Sequence, residues 1–428
     1  MAYNRFDNEI TPIKVFEFNE TTGALEFLNV VTDYHAFRFV SDFAGVGSFT
    51  IEINGEKKSA ENLLVGKVIQ VDNDKDKQGI IMRIARNLNV DDTGMVRNNL
   101  IVSGMQLKGL LSFSVTMPFG GVFADGPPDY ENIFEEVDVQ GDWFDMGELT
   151  YLGVGESHDE YEEMMTEEIM RSLIEHNKHM NVLFFHNSGT TQPELVLETA
   201  PETFRGIEHE IESFRFKQLD EALEYLALSG DLGWNLVAEN NQLVFKIYEG
   251  TDRTITQTEV NPVVFSFDKG NVRNIEYVED KMEARNQLIF GGAGEGVFRD
   301  LVVAGDFSKT GFHSRLGFVD ARDVRSLEGL FTRARHKIVN YKMTQSIDVQ
   351  GFSKKSLIRL GEDYHLGDKV TIKIPEWGLT LNVKVLSVTD RFTLDNAGTL
   401  EFEFGTKDLA LDSLIKKRFD QMNNEILI

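Results

Sequence analysis

Apolar and polar residues alternate at a period of two along most of the first hundred residues. This pattern is typical of half-buried β-strands, because successive side chains of a strand point to opposite faces of the sheet. It predicts strands that are separated by turns rich in Gly, Asn, Asp and Thr, at residues 13–18, 25–31, 36–40 and 47–53. With three further strands before residue 115, the segment 1–115 is long enough for a complete small β-barrel or sandwich.

One pattern occurs twice, over residues 63–109 and again over residues 364–407. Each copy predicts three strands in the same order, at 64–71, 80–86 and 100–104 and then at 366–374, 379–385 and 400–404. Gly66 and Gly367 introduce the first strand of each copy, and Gly104 and Gly405 close the third at the same separation. Two unrelated antiparallel meanders would share these features, but an internal duplication of a small β-barrel also explains the equal spacing.

The stretch between the copies has a different character. Residues 117–155 are rich in Gly, Pro and acid and predict an insertion or long loop. Two amphipathic helices are predicted, at 160–178 and 218–228, followed by a hairpin of strands 234–237 and 242–247 that turns at Asn240-Asn241. Residues 116–258 are therefore predicted to form an acidic insertion with an α+β middle domain.

Strand patterns return at residues 263–267, 272–278, 286–290 and 297–303. A helix is predicted over 326–342, with these residues facing inward: Leu327, Leu330, Phe331, Ala334, Ile338 and Tyr341. Its other face carries Arg333, Arg335, Lys337 and Lys342, either as a solvated surface or as a contact for an acidic neighbour. The prediction is a mainly β chain, with similar barrels at 1–115 and 259–408 and a C-terminal helix within 409–428.

Composition indicates a folded protein, since 41% of the 428 residues are hydrophobic and 32 are Phe. The absence of Cys excludes disulfides, thiolate zinc sites and Cys nucleophiles, and suits assembly in a reducing cytoplasm. The sequence contains no apolar run of membrane-spanning length, so we expect no membrane segment.

The net charge of −27 argues against binding nucleic acid by neutralising phosphates. Residues 109–170 contain sixteen Asp and Glu and no Lys or Arg, so this segment alone carries a charge of −16. Three interpretations stay open: a solvated surface, a patch for a basic partner, or the wall of a conduit that must not hold DNA.

The sequence offers no catalytic constellation. The run Gly291 to Gly296 lacks the Lys and the Ser or Thr of a phosphate-binding loop, and predicts a tight hairpin or bulge. Asp72, Asp74 and Asp76 begin like a calcium loop, but its later Gly and Glu are missing, which favours a charged hairpin turn. The histidines His176, His179 and His186 lack an obvious third metal ligand. We therefore expect no catalytic, cofactor-binding or metal-binding residues.

The chain resembles the tail-hub, or baseplate-hub, proteins of long-tailed bacteriophages, and among them the minor tail proteins. The resemblance is carried by residues 286–296 with Arg299 after them, by 366–370, and by 47–51 followed by 64–69. It implies two tube-type β-barrels with inserted or peripheral domains, assembled as a homotrimer at the distal end of the tail tube in the virion.

Three chains with two similar barrels each would form a ring of six, which is how a threefold tip can join a sixfold tube. The implied partners are a tail tube or distal tail protein and a tail-tip or fibre protein, and DNA passes only in transit. Two other functions stay open. One is a tail-tip enzyme that degrades cell-wall polymer, and the other is an adhesin that stacks a host saccharide on Trp143, Tyr151 or Trp234.

Overall fold

A computed structural model describes residues 10–19, 22–90, 96–116, 159–177, 193–214, 217–280, 284–294, 296–322, 327, 330, 331, 334, 344–352, 358–393 and 399–405. The acidic run 117–158 and the predicted C-terminal helix within 409–428 lie outside these residues. The described chain is mostly β-sheet, as the alternating pattern predicts.

The first part of the chain forms seven strands that confirm the predicted series. They are β1 (Ile13–Phe18), β2 (Leu25–Val31), β3 (Ala36–Asp42), β4 (Ser48–Asn54), β5 (Val68–Val71), β6 (Gln78–Val90) and β7 (Val96–Gln106). The β6–β7 hairpin is much longer than the alternation indicates. Its outer half, from Met82 onward, is largely exposed.

The middle part combines short strands with two helices. These elements are β8 (Asp159–Met165), α1 (Thr166–Asn177), β9 (Glu194–Leu197), β10 (Glu208–Phe214), α2 (Leu219–Gly230), β11 (Leu232–Glu239) and β12 (Gln242–Glu249). The predicted hairpin is confirmed: β11 pairs with β12, and Asn240 and Asn241 have φ angles of 52° and 64°. Two successive left-handed residues are what a tight two-residue turn requires.

The last part contains a second series of strands. They are β13 (Val264–Phe265), β14 (Val272–Asp280), β15 (Gln287–Gly291), β16 (Leu301–Gly305), β17 (Leu316–Asp320), β18 (Thr344–Phe352), β19 (Lys369–Ile374), β20 (Leu379–Thr393) and β21 (Thr399–Gly405). Strand β20 continues eight residues past the predicted end at Val385.

One sheet of 13 strands runs through both ends of the chain, in the order β14-β18-β21-β20-β3-β4-β7-β6-β5-β1-β2, with β19 beside β20 and β13 beside β19. Three small sheets complete the fold: β10-β8, β11-β12-β9 and β16-β15-β17. Among the described residues neither end of this sheet pairs back on itself, so the barrel closure stays a prediction.

The hydrophobic side chains form four separate clusters. One lies under the N-terminal strands and includes Phe37 and Ile51, and one lies under the C-terminal strands and includes Val349 and Phe402. A third joins α1, α2, β11 and β12 to residues near β7 such as Leu107. The middle part therefore shares its core with the N-terminal sheet.

The fourth cluster belongs to the sheet β16-β15-β17 and includes Leu330 and Ala334 of the predicted helix over 326–342. The inward orientation of these two residues is confirmed. It is wrong for Leu327 and Phe331, which are about half exposed. Four side chains on the opposite face of this sheet are more than half exposed: Leu301, Val303, Leu316 and Phe318.

One helix prediction needs a correction. Residues 160–165, assigned to the start of a helix, belong to β8, which pairs antiparallel with β10. Helix α1 begins only at Thr166, whose backbone N–H donates to the Ile207 carbonyl. Tyr161 and Met165 fit a helical spacing and a strand alternation equally well, and the partner strand β10, remote in sequence, decides between them.

Candidate functional site

Two groups of five strands have the same order. The N-terminal set consists of β5-β6-β7-β4-β3, and the C-terminal set consists of β19-β20-β21-β18-β14. Every neighbouring pair in both sets is antiparallel. The strand order that the duplicated sequence pattern predicts is therefore present in the structure.

The likeness extends to single hydrogen bonds. Gly66 and Gly367 both adopt a left-handed backbone, with φ angles of 84° and 92°. Gly66 N–H donates to the Ile81 carbonyl at 2.8 Å, and Gly367 N–H donates to the Val385 carbonyl at 2.8 Å. Directly after these bonds both long strands carry an irregularity, between Ile81 and Arg83 in β6 and between Val385 and Ser387 in β20. A β-bulge increases the local twist of a strand and can end its pairing with a neighbouring strand.

The two sets differ at their periphery. Strand β1 runs antiparallel to β5, whereas β13 runs parallel to β19. The three-stranded sheet β16-β15-β17 is inserted between β14 and β18, where the N-terminal set has only a short connection from β3 to β4. The common element is therefore the five-stranded set and not the whole of each half.

The two sets join through the long strand β20. Its first half, residues 379–384, pairs with β19 of its own set, and its second half, residues 387–393, pairs with β3 of the other set. Phe392 lies directly opposite Phe37 at this junction, with ring centroids 6.0 Å apart and planes 17° apart. The Phe392 side chain is buried there, with 7% exposed.

Strand β6 is the counterpart of β20, but its second half has no such neighbour. It pairs with β5 only through residues 78–80, and in the described chain no strand lies beside residues 82–90 on that edge. Leu88 and Val90 on this stretch are 70% and 65% exposed. At the other end of the sheet, β14 pairs only with β18 among the described strands. These are two of the open backbone edges among the described strands, since β2 at the far end of the sheet pairs only with β1. Open edges are sites of strand addition.

Two lysines, one partly buried and one buried, hold the three parts of the chain together. Lys77 of the β5–β6 turn donates to Asp390 of β20 at 2.5 Å, and Lys384 of β20 donates to Asp231 after α2 at 2.7 Å. Burial lowers the pKa of Lys77, but Asp390 outweighs it, so the net shift is upward. The pKa of Lys384 is lowered by burial despite the opposing charge of Asp231.

The sites considered from sequence have structural explanations. The glycine run connects β15 to β16, and Arg299 donates to the carbonyls of Gly291 and Gly292, so this loop holds an arginine through its carbonyl groups. Asp74 accepts from the Asp76 N–H in the turn between β5 and β6. In the described residues no group of three or more His, Cys, Asp and Glu is arranged to hold a metal. His179, His186 and the side chain of His176 lie outside the described residues.

Sequence reasoning missed the junction and the lysines that hold it. The one available signal was the length of alternation past Val385, where Val388 and Phe392 continue the apolar positions. It was obscured because Asp390, between them on the same face, is charged. Its partner, Lys77, is distant in sequence.

Known proteins share this architecture. A tail protein from Neisseria meningitidis MC58 matches with 15% identity over 94% of this chain and 99% of its own, at a TM-score of 0.51. The 43 kDa tail protein of prophage MuSo2 from Shewanella oneidensis matches with 12% identity over 94% of this chain and 100% of its own, at a TM-score of 0.53. No curated protein sequence matches the chain. The fold is thus that of phage tail proteins.

A family model defines the assignment further. The model of the siphovirus ReqiPepy6 Gp37-like protein matches residues 166–406, more than half of the chain. The chain belongs to this family of phage tail proteins. No helix in the described residues combines the length and apolar character needed to cross a membrane.

Proposed function

We propose that the chain is a structural hub at the distal end of the tail. In this proposal three copies form a ring that joins the sixfold tail tube to a threefold tip. The N-terminal and C-terminal sets are duplicated ring segments, within domains at 1–115 and 259–408. The acidic and α+β part at 116–258 and the segment 409–428 lie outside the duplicated segments.

The observation that carries the proposal is the contrast between Leu88 and Phe392. When the irregularities after Ile81 and Val385 are superposed, Leu88 of β6 takes the place of Phe392 of β20. Phe392 is 7% exposed because β3 of the other set covers it, whereas Leu88 is 70% exposed. An equivalent apolar side chain on an open edge indicates a missing strand.

The same comparison identifies the strand that would cover Leu88. Ile275 of β14 takes the place of Phe37 of β3, because each pairs with the strand next to it at equivalent positions, Val349 and Ile51. Phe37 lies opposite Phe392 within the chain. Ile275 of a second copy should therefore lie opposite Leu88, so that β14 of one copy continues the sheet at β6 of the next.

The strand count permits such a ring to close. Eight strands run from β14 to β6, and each neighbouring pair is antiparallel. Because the number of strands is even, β6 of one copy and β14 of the next would also run antiparallel. Contacts between different surfaces of identical chains close into a ring when the rotation allows it. With two similar sets per chain, three copies present six similar units to a sixfold partner.

The channel is part of the proposal. A charge of −27 disfavours DNA retention, because phosphate contacts gain affinity from basic side chains. We infer that DNA passes through this ring without being bound, and that the neighbours are a tube or distal tail protein above and a tip or fibre protein below.

Engineered cysteines test the ring directly, because the chain has no Cys of its own. Opposite residues of an antiparallel pair have Cα atoms roughly 4.5–5.5 Å apart, which suits a disulfide. The double variant Leu88→Cys with Ile275→Cys should therefore give a covalent trimer on a non-reducing gel after mild oxidation. The matched control is Leu88→Cys with Glu276→Cys, since Glu276 is the next residue of β14 and points to the other face.

The proposal is wrong if the Leu88 and Ile275 pair cross-links no better than this control while the wild-type chain is monomeric by mass in solution. A wild-type trimer without the specific cross-link would keep the ring but refute its β6–β14 contact. Cross-linked dimers alone, with no trimer, would refute closure by three copies.

A further inference from the structure

The edges of β6 and β14 that the ring would join differ in charge. Strand β6 contains Arg83 and Arg86 and no acidic residue. Strand β14 contains Glu276, Glu279 and Asp280, with a single basic residue near its start. Both arginines of β6 are exposed, and neither belongs to an ion pair in the described part of the chain. The β6 edge is therefore positive and the β14 edge negative, although the whole chain carries a charge of −27.

The junction inside the chain predicts which of these residues would meet between two copies. In that junction Ser387 of β20 lies opposite Asp42 of β3. Superposing the two strand irregularities puts Arg83 of β6 in the place of Ser387. The pairing of β14 with β18 puts Asp280 in the place of Asp42. The register that the ring requires therefore sets an arginine directly opposite an aspartate.

The second arginine of β6 also meets a suitable residue in this register. Arg86 takes the place of Asp390, and the half-exposed Tyr277 of β14 takes the place of Phe39, which lies opposite Asp390 within the chain. A guanidinium group is attracted to the face of an aromatic ring. Both arginines of the β6 edge would thus gain a partner that the described part of a single chain does not give them.

Open strand edges can also pair with copies of themselves. Such a two-fold contact does not occur in a ring of three copies. Between two β6 edges it would combine two arginines from each copy and no acid, and between two β14 edges it would combine three carboxylates from each copy. Like charges on neighbouring strands are destabilising. The charges of the two edges therefore disfavour both self-pairings and favour the contact between β6 and β14.

We infer that Arg83, Arg86 and Asp280 determine which edges of two copies pair, so that β6 of one copy selects β14 of the next. This inference rests on the ring proposed above and adds the residues that give its contact a direction. Opposite charges on approaching surfaces raise the rate of association. Salt weakens this effect, because the Debye length falls from about 10 Å at 0.1 M to about 3 Å at 1 M. Pairing of the two edges is therefore slower at high salt.

Two chains with one cysteine each test the charge pair without a complete ring. The first chain carries Leu88→Cys and the second carries Ile275→Cys, and mass spectrometry of linked peptides measures how fast the disulfide between these positions forms after mixing. Arg83→Asp in the first chain, or Asp280→Arg in the second, should slow its formation about tenfold. With both substitutions present the rate should return to within a few-fold of the original, which separates a direct charge pair from a folding defect.

Arg38→Asp in the first chain is the matched control. Arg38 is also an exposed arginine of a strand, but β3 lies inside the sheet and away from both edges, so the rate should not change. The inference is overturned if the two reversed chains do not restore the rate, if Arg38→Asp slows the reaction as much as Arg83→Asp, or if the rate is equal at about 0.1 M and about 1 M NaCl. If the two chains with unaltered charges form no disulfide between these positions, the ring contact itself is refuted, and this inference with it.

Discussion

Lys108 gives a test of how the N-terminal sheet is held against the middle part. Its side chain is fully buried, and Nζ donates to the carbonyls of Asp42 at 2.7 Å and Trp234 at 3.1 Å. Nζ also lies 4.8 Å from the centroid of the Trp234 ring. Burial lowers the pKa of Lys108 to about 8, against the smaller opposing effects of Asp42 and Glu224. Replacing this lysine with methionine keeps most of the volume but removes the titration.

The magnitude follows from linkage. The pKa of Lys108 falls from 10.5 to about 8 on folding, so between these values the unfolded chain holds a proton that the folded chain lacks. Stability therefore rises with pH in this window, by about 1.4 kcal/mol per pH unit, and below the window this group contributes no pH dependence. From pH 8 to pH 9.5 the wild type should gain about 2 kcal/mol relative to Lys108→Met.

The assay is urea unfolding of wild type and Lys108→Met at intervals from pH 7 to pH 9.5. The upper limit avoids ionisation of tyrosines such as Tyr34 and Tyr248, whose pKa values burial raises and which would lower stability at higher pH. Lys384 titrates in both proteins and cancels in the difference. Lys58→Met, which removes an exposed lysine, is the control and should parallel the wild type. Parallel curves for wild type and Lys108→Met would refute the reasoning.

Three further predictions concern stability in urea. Glu167→Ala should cost about 3 kcal/mol, because the carboxylate is fully buried between Arg171 and Arg205 and its loss leaves Arg171 only the longer ion pair with Glu198 at 3.9 Å; a cost near zero would contradict this. Burial alone would raise the pKa of Glu167, but those arginines lower it overall, so its contribution persists above pH 4.5 and disappears as the pH falls through the lowered value. Asn241→Gly should stabilise the β11–β12 turn by up to about 1 kcal/mol, since φ is 64° there; destabilisation would argue against this turn type. Gly367→Ala should be far worse than Gly378→Ala, because both have positive φ but only at Gly367 would a Cβ meet Phe43, at 2.2 Å; equal effects would show that the ring moves aside.

Much of the β-structure could be predicted because apolar and polar residues alternate within single strands. Strands β1, β3, β4 and β12 depend on side chains that alternate between a core and a more exposed face, and the β11–β12 turn depends on Asn residues that accept a left-handed backbone. The twin glycines Gly66 and Gly367 were found by spacing alone, and their positive φ gives the physical reason for that residue type. The resemblance to phage tail-hub proteins, drawn from short glycine-bearing segments, is confirmed at the level of the tail protein family.

The predictions from sequence failed where a partner distant in the chain decides the local structure. Residues 159–165 become a strand because β10 supplies a pairing partner, although their spacing also fits a helix. The outer face of the sheet β16-β15-β17 and the half-exposed Leu327 and Phe331 depend on which elements cover them, which periodicity does not specify.

For this protein the sequence alone determined that the chain is mainly β, that one three-strand pattern occurs twice, and that the composition is highly acidic. These properties depend on local patterns or on a sum over residues, so the sequence shows them without the tertiary structure. Only the tertiary structure decided that the two sets join in one sheet through β20 and β3, and that among the described strands β6 is left with an open edge. Each of these depends on contacts between residues far apart in the chain, and such pairings are fixed by packing and hydrogen bonding in three dimensions.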